Sequence, residues 1–173
     1  MTAVERKLKK SLDELLSFGC IGIKSEFEAE GIRDEELIWL SQLVREVGLP
    51  MTLKIGGCEA VRDLYTAKTF GIEKIVAPMI ETVYAAHKFD QAAKRVFPNK
   101  DRSFFINIET KTGYENLEEI AAFASSQHYI DGIVFGRVDF TNSLGKGRDK
   151  INTEEITLLV KHAAKIAKEN RLK

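Results

Sequence analysis

The sequence has little cysteine, histidine or proline, and neither charge is in excess. Its two cysteines, Cys20 and Cys58, stand far apart and form no CxxC pair. We therefore expect free, buried thiols rather than a disulfide. The three histidines show no zinc-type spacing. The 26 basic and 26 acidic residues cancel, which gives no reason to expect nucleic acid or a membrane surface as a partner.

Long apolar segments are missing as well. No run approaches the roughly 18 consecutive apolar residues of a membrane span, and the first residues lack the apolar stretch of a secretory signal. These absences predict a cytoplasmic protein that makes no contact with a membrane. The hydrophobic content of 44% is that of an ordinary globular chain, and we expect a single domain over residues 1–173.

Short apolar runs alternate with amphipathic helical patterns along the chain. Strands are predicted at residues 20–27, 51–55, 74–80, 103–109 and 132–135. Helices are predicted at residues 3–17, 34–47, 59–70, 83–96, 117–125 and 153–169. Near-continuous apolar strands between helices indicate an α/β fold, with a parallel sheet covered on both faces.

The number of strands bears on the kind of sheet. A closed (β/α)₈ barrel usually needs about 250 residues, and only five βα units are predicted here. The pattern fits either an open five-stranded sheet or a TIM-barrel-type domain that is incomplete, with the chain truncated at its C-terminal end. In a truncated barrel the exposed strand edges would promote self-association, so we expect a homo-oligomer.

Two acidic residues follow the apolar runs of neighbouring predicted strands. Glu109 ends the run at 103–109, and Asp139 lies shortly after the run at 132–135. Carboxylates at the C-terminal ends of successive parallel strands can converge on one hard cation, and Mg²⁺ is typically held by one or two carboxylates. The alternative is a pair of turn or capping carboxylates, which are common where a strand leads into a helix.

The first predicted strand carries an unusual set of charges. Lys24, Glu26 and Glu28 alternate along it and therefore point to the same side. Charged residues are uncommon in a strand that should be buried, so the set is either functional or a structural cluster of ion pairs. A Schiff-base role for Lys24 or Lys54 is a further alternative.

Three segments carry motifs that belong together. Residues 106–120 run from a strand ending in Ile-Glu-Thr into a helix start with Gly, Asn and Leu. Residues 131–145 contain Asp-Gly, a strand, Gly-x-x-Asp-Phe and then Ser-Leu-Gly, and residues 77–82 read Ala-Pro-Met-Ile-Glu-Thr. In combination these segments resemble the HpcH/HpaI aldolase and citrate lyase β-subunit family.

The resemblance implies a TIM-type barrel and dependence on a divalent metal, Mg²⁺ or Mn²⁺. It also implies carbon–carbon lyase chemistry on a small 2-oxo acid, a related carboxylate or an acyl-CoA. Glu109 and Asp139 fall at the metal-ligand positions, and Lys54 falls where the family commonly has a substrate-binding Arg. Gly136 and Arg137 resemble the turn whose backbone N–H groups meet the substrate carboxylate.

The chain departs from the family in the segment that follows the first strand. The aldolases have an acid-x-Glu-His sequence there, with the His serving as the base. Residues 23–31 hold acids and a lysine but no histidine. We expect Lys24 or Glu26 to move the proton instead. The alternative is a non-catalytic homologue that binds metal and carboxylate without a competent base.

Overall fold

The structure is a computed structural model, and it describes residues 2–173. Helices and strands alternate along nearly the whole chain. In order, the elements are α1 Ala3–Ser17, β1 Ile23–Glu26, α2 Asp34–Glu46, β2 Met51–Lys54, α3 Val61–Thr69, β3 Lys74–Ala77, α4 Val83–Val96, β4 Ser103–Ile108, α5 Lys111–Glu115, α6 Leu117–Ser126, β5 Ile130–Phe135, α7 Arg137–Ser143, a 3₁₀ turn Arg148–Lys150 and α8 Glu154–Glu169.

The strands form one parallel sheet of five strands in chain order, from β1 to β5. The register places Glu26 of β1 opposite Lys54 of β2, and Lys54 opposite Val76 of β3. Among residues 2–173, β1 and β5 do not pair with each other, so the sheet is not closed. The prediction of an α/β, TIM-barrel-type sheet with five βα units that do not complete a barrel is confirmed.

The outer edge of β5 is partly covered by residue Lys173. The Lys173 N–H donates to Asp131 O at 2.9 Å, and the Ile133 N–H donates to Lys173 O at 3.0 Å. These two bonds bracket Gly132 in the pattern of parallel strands. A Cβ on Gly132 would lie 2.5 Å from Lys173 O, so only glycine permits this approach.

The core lies between the sheet and its helices. Leu53, Ile75 and Ile106 are fully buried on the strands, against Phe89 of α4 and Ile120 of α6. Each such side chain stabilises the fold by roughly 1.5–3 kcal/mol through burial. Because side chains alternate along a strand, the residues between these apolar positions point to the opposite face. That face carries the polar residues of interest.

The structure differs from the sequence-based expectations at some boundaries. β3 ends at Ala77 rather than at residue 80, because Pro78 has no N–H to donate and Met79 has a left-handed φ of 49°. Helices α5 and α7 were not predicted from the sequence.

Cys20 and Cys58 are free, as expected, but only half-buried. None of the helices within residues 2–173 is long and apolar enough to cross a membrane.

Candidate functional site

Glu109 lies immediately after β4 and is only 1% exposed. Its Oε1 accepts a hydrogen bond from the Met79 N–H at 3.0 Å. Its Oε2 accepts from Lys54 Nζ at 3.1 Å and from Asn107 Nδ2. A carboxylate has about four acceptor positions, so these contacts leave room for a further ligand. Burial raises the pKa of the Glu109 carboxyl, and the Met79 N–H and the Lys54 charge oppose this rise without cancelling it.

Lys54 ends β2 and lies between two carboxylates. The side chain is almost fully buried, with Nζ 2.5 Å from Glu28 Oε2 and 3.1 Å from Glu109 Oε2. Burial lowers the pKa of the Lys54 amine, but the contacts with Glu28 and Glu109 outweigh burial, so that the pKa is raised above its ordinary value. Lys54 is therefore a charged ammonium, and one of its three N–H groups remains for another acceptor.

Asn107 is a member of this cluster that the sequence reasoning missed. It lies two residues before Glu109 on β4, so both side chains point to the same face of the sheet. It is 4% exposed, and its Nδ2 donates to Glu109 Oε2. Within residues 2–173, its Oδ1 is buried and has no hydrogen-bond partner. A polar residue in the otherwise apolar run before Glu109 was the signal that could have identified it.

Gly136 brings the start of α7 against Glu109. Its N–H donates to Ile108 O at 3.0 Å. A Cβ on Gly136 would lie 2.6 Å from both Cβ and Oε2 of Glu109, so a side chain cannot be accommodated without movement. Asp139 lies in the first turn of α7 and is half-buried. Among the described residues, the Asp139 carboxylate has no hydrogen-bond or ion-pair partner, and it stands less than one helical turn from Gly136.

Arg137 begins α7, but its side chain turns toward the connection before α8. Its Nη1 donates to Ile151 O and to Asn152 Oδ1, both at 3.3 Å. Of the two backbone N–H groups predicted to meet a carboxylate, that of Gly136 is already bonded to Ile108. Arg137 would therefore bind a ligand beside Glu109 through its backbone N–H rather than through its guanidinium.

Lys24 and Glu26, the residues predicted to move a proton, contact each other. Lys24 Nζ donates to Glu26 Oε2 at 2.6 Å, and Lys24 is half-exposed at the edge of β1. Burial raises the pKa of Glu26, but the hydrogen bond and charge of Lys24, with the charge of Lys54, outweigh burial and lower the pKa. Glu28, rather than Glu26, makes the direct contact with Lys54.

The donor set suits a hard cation. Glu109, Asp139 and Asn107 offer only oxygen atoms, which Mg²⁺ and Mn²⁺ prefer. Within residues 2–173, no group of three or more His, Cys, Asp or Glu side chains is placed to hold a metal ion. A cation here would therefore need an amide oxygen, water or ligand oxygens to complete its coordination, which is usual for Mg²⁺.

A family model described as HpcH/HpaI aldolase/citrate lyase matches residues 58–172. The chain belongs to this family. The matched segment contains Glu109, Gly136 and Asp139, whereas Lys24 and Lys54 lie before it. The HpcH/HpaI family comprises enzymes of the aldolase and citrate lyase type, which places the chain among enzymes.

Solved structures share the fold of this HpcH/HpaI chain. Citrate synthase SbnG superposes with a TM-score of 0.76 at 16% identity, over 95% of this chain and 71% of that one. An HpcH/HpaI aldolase/citrate lyase family protein from Burkholderia cenocepacia J2315 gives 0.76 at 15% identity, over 95% and 73%. Macrophomate synthase gives 0.71 at 16% identity, over 95% and 66%. No curated protein sequence matches the chain.

Proposed function

We propose that this protein is a divalent-metal-dependent carbon–carbon lyase that acts on a small 2-oxo acid, a related carboxylate or an acyl-CoA. The observation that carries the proposal is Glu109, a carboxylate that is 1% exposed and lies where β2, β4 and α7 meet. Burying a carboxylate is costly, and the Lys54 ammonium that pairs with Glu109 is shared with Glu28, so net negative charge remains to attract a cation. Buried, perturbed carboxylates cluster at functional sites, and membership of the HpcH/HpaI family supports this reading.

Glu109 and Asp139 are the residues that would hold Mg²⁺ or Mn²⁺. Glu109 retains an acceptor position. Asp139 is a half-buried carboxylate on α7, the helix whose preceding residue, Gly136, packs against Glu109. A divalent cation bound there would supply a Lewis acid for a carbonyl oxygen of the substrate. The negative charge of the two carboxylates favours its binding.

Lys54 would neutralise the substrate carboxylate. Its ammonium stays charged and has one N–H free of Glu28 and Glu109. It is a point charge rather than a planar fork, so it would orient the carboxylate less strictly than an Arg would. The backbone N–H of Arg137 would add to this orientation, whereas that of Gly136 is already bonded to Ile108 O.

Proton transfer would fall to the charged residues of β1 and the turn after it. Lys24 and Glu26 share a hydrogen bond of 2.6 Å, along which a proton could pass. Glu28 contacts Lys54, which in turn contacts Glu109, whereas Glu26 contacts Lys24. Exchange of substrate protons with deuterated solvent, followed by NMR in Glu26→Gln and Glu28→Gln, would separate these two carboxylates.

Titration calorimetry with Mn²⁺, with and without oxalate, tests the metal site. We expect the wild type to bind Mn²⁺, oxalate to strengthen binding, and both Glu109→Gln and Asp139→Asn to abolish it. Asp13→Asn, an exposed acid on α1, should bind as the wild type does. If the wild type does not bind Mn²⁺, the metal-dependent lyase proposal falls.

A second candidate is a binding module that holds a cation and a carboxylate without turnover. The observation that favours it is the mutual pairing of Lys24 and Glu26, which leaves each engaged rather than free to act as a base. Turnover of oxaloacetate or of pyruvate-derived aldols would exclude this candidate. Tight oxalate binding without turnover across a panel of 2-oxo acids would favour it over the lyase.

A further inference from the structure

The buried face beside Glu109 contains an oxygen atom that has no hydrogen-bond partner within residues 2–173. Among residues 2–173, the buried side-chain atoms without a hydrogen-bond partner are Glu28 Oε2, Asp90 Oδ1, Arg102 Nε and Asn107 Oδ1. Glu28 Oε2 lies 2.5 Å from the Lys54 ammonium. The other oxygen of Asp90 pairs with Lys94. Asn107 Oδ1 differs from these two carboxylate oxygens because it belongs to a neutral amide, which forms no ion pair.

Leaving a buried amide oxygen unpaired is costly. Replacing Asn107 with an apolar residue would avoid that cost, so the amide needs a reason to be there. Its Nδ2 donates to Glu109 Oε2, which accounts for the amide nitrogen but not for the amide oxygen. The oxygen is available for a ligand that the protein itself does not supply.

The position of the amide indicates what that ligand is. Asn107 and Glu109 point to the same face of β4, and a Cβ on Gly136 would lie 3.4 Å from Asn107 Nδ2. The amide therefore lies beside both Glu109 and Gly136, next to the start of α7, which carries Asp139 in its first turn. A neutral amide oxygen next to a carboxylate suits a cation site built from oxygen ligands.

We propose that Asn107 Oδ1 is a third protein ligand of the divalent cation held by Glu109 and Asp139. The proposal rests on the function proposed above, because it assigns a further residue to the same site. With two carboxylates and one amide oxygen from the protein, fewer coordination positions are left to water and substrate. The Nδ2 contact with Glu109 would hold the amide next to that carboxylate.

The test counts the water molecules bound to Mn²⁺, by water-proton relaxation, in the wild type and in Asn107→Ala. Loss of a protein ligand opens a coordination position, so we expect one additional bound water in Asn107→Ala. We also expect Mn²⁺ affinity to fall by about tenfold or more. Asn142→Ala, an exposed asparagine on α7, is the matched control and should change neither quantity.

A second variant covers the case in which Asn107→Ala fails to fold. Asn107→Asp keeps an oxygen at the same place but removes the donor to Glu109. We expect it to bind Mn²⁺ at least as tightly as the wild type does, with the same number of bound waters. Tenfold weaker binding in Asn107→Asp would show that the Nδ2 contact is what matters, and would overturn the proposal.

The outcomes separate this proposal from the proposed function. Mn²⁺ binding in the wild type that is lost in Asp139→Asn but unchanged in Asn107→Ala would overturn the role of Asn107 and leave the metal site standing. An unchanged water count with weaker binding would also overturn it, because Asn107 would then act through Glu109. Absence of Mn²⁺ binding in the wild type would overturn both proposals.

Discussion

Lys54 Nζ lies 3.1 Å from Glu109 Oε2, and this contact joins two almost fully buried side chains that stand 55 residues apart in the sequence. It connects the end of β2 to the end of β4 across β3. On the other side of Lys54, Glu28 approaches to 2.5 Å. One ammonium therefore compensates two carboxylates. The stability and the chemistry of the edge formed by the C-terminal ends of the strands both depend on it.

Replacing Lys54 should destabilise the fold strongly. In Lys54→Met, Glu28 and Glu109 would lose their shared cation and leave uncompensated negative charge in a buried place. We expect the free energy of unfolding to fall by about 3–5 kcal/mol, measured by urea denaturation at pH 7. Lys165→Met removes an exposed ion pair with Glu169 and should change stability little. Equal effects of the two substitutions would contradict this view of the cluster.

The contribution of Glu26 to stability should depend on pH. Its pKa is lower in the folded protein than its ordinary value of 4.5, mainly because the contact with Lys24 outweighs the effect of burial. A carboxyl with a lowered folded-state pKa stabilises above the unfolded-state pKa and loses that contribution as pH falls. The difference in unfolding free energy between wild type and Glu26→Gln should therefore be largest near pH 7 and shrink below pH 4.5.

Lys24→Met provides the matched background for the Glu26 measurement. Without the Lys24 ammonium, the same Glu26→Gln substitution should give a smaller difference and a weaker dependence on pH. Urea denaturation of the four proteins between pH 7 and pH 3 would check this. A difference that grows on acidification would contradict the assigned direction of the pKa shift.

Gly136 should tolerate no side chain. In Gly136→Ala the new Cβ would meet Glu109 at 2.6 Å, so either α7 or the carboxylate must move. We expect a loss of about 1–3 kcal/mol in the free energy of unfolding, as for overpacking in general, together with weaker Mn²⁺ binding. Gly57→Ala is the control, because a Cβ there would meet nothing within 4 Å. Wild-type Mn²⁺ affinity in Gly136→Ala would show that α7 can move without disturbing the site.

The repeated Ile-Glu-Thr sequence should stabilise two helix starts in the same way. Thr82 Oγ1 accepts from the Ala85 N–H at 3.1 Å, and Thr110 Oγ1 accepts from the Gly113 N–H at 3.0 Å. Removing such a cap typically costs about 1 kcal/mol, which we expect for both Thr82→Ala and Thr110→Ala in thermal or urea unfolding. Thr112→Ala, exposed within α5, should cost much less, and a similar loss there would argue against capping.

Much of the architecture follows from the sequence alone. Apolar runs separated by amphipathic stretches determine five strands and the long helices between them, because local periodicity reports which side of each element is buried. Parallel strands joined by helices place their C-terminal ends at one edge. The positions of Glu109 and Asp139 after neighbouring strands could be derived for that reason. The short helices α5 and α7 could not be predicted, because five and seven residues are too few to show a helical period.

Only the tertiary structure decided which charges meet. The sequence placed Lys24, Glu26 and Glu28 on one side of a strand, but the fold pairs Lys24 with Glu26 and sends Glu28 to Lys54. It also brought Asn107 beside Glu109 and Gly136, and it positioned the Met79 N–H to donate a hydrogen bond to Glu109. Such contacts depend on strand register and on the paths of loops. Those are properties of the packed sheet that no local sequence pattern encodes.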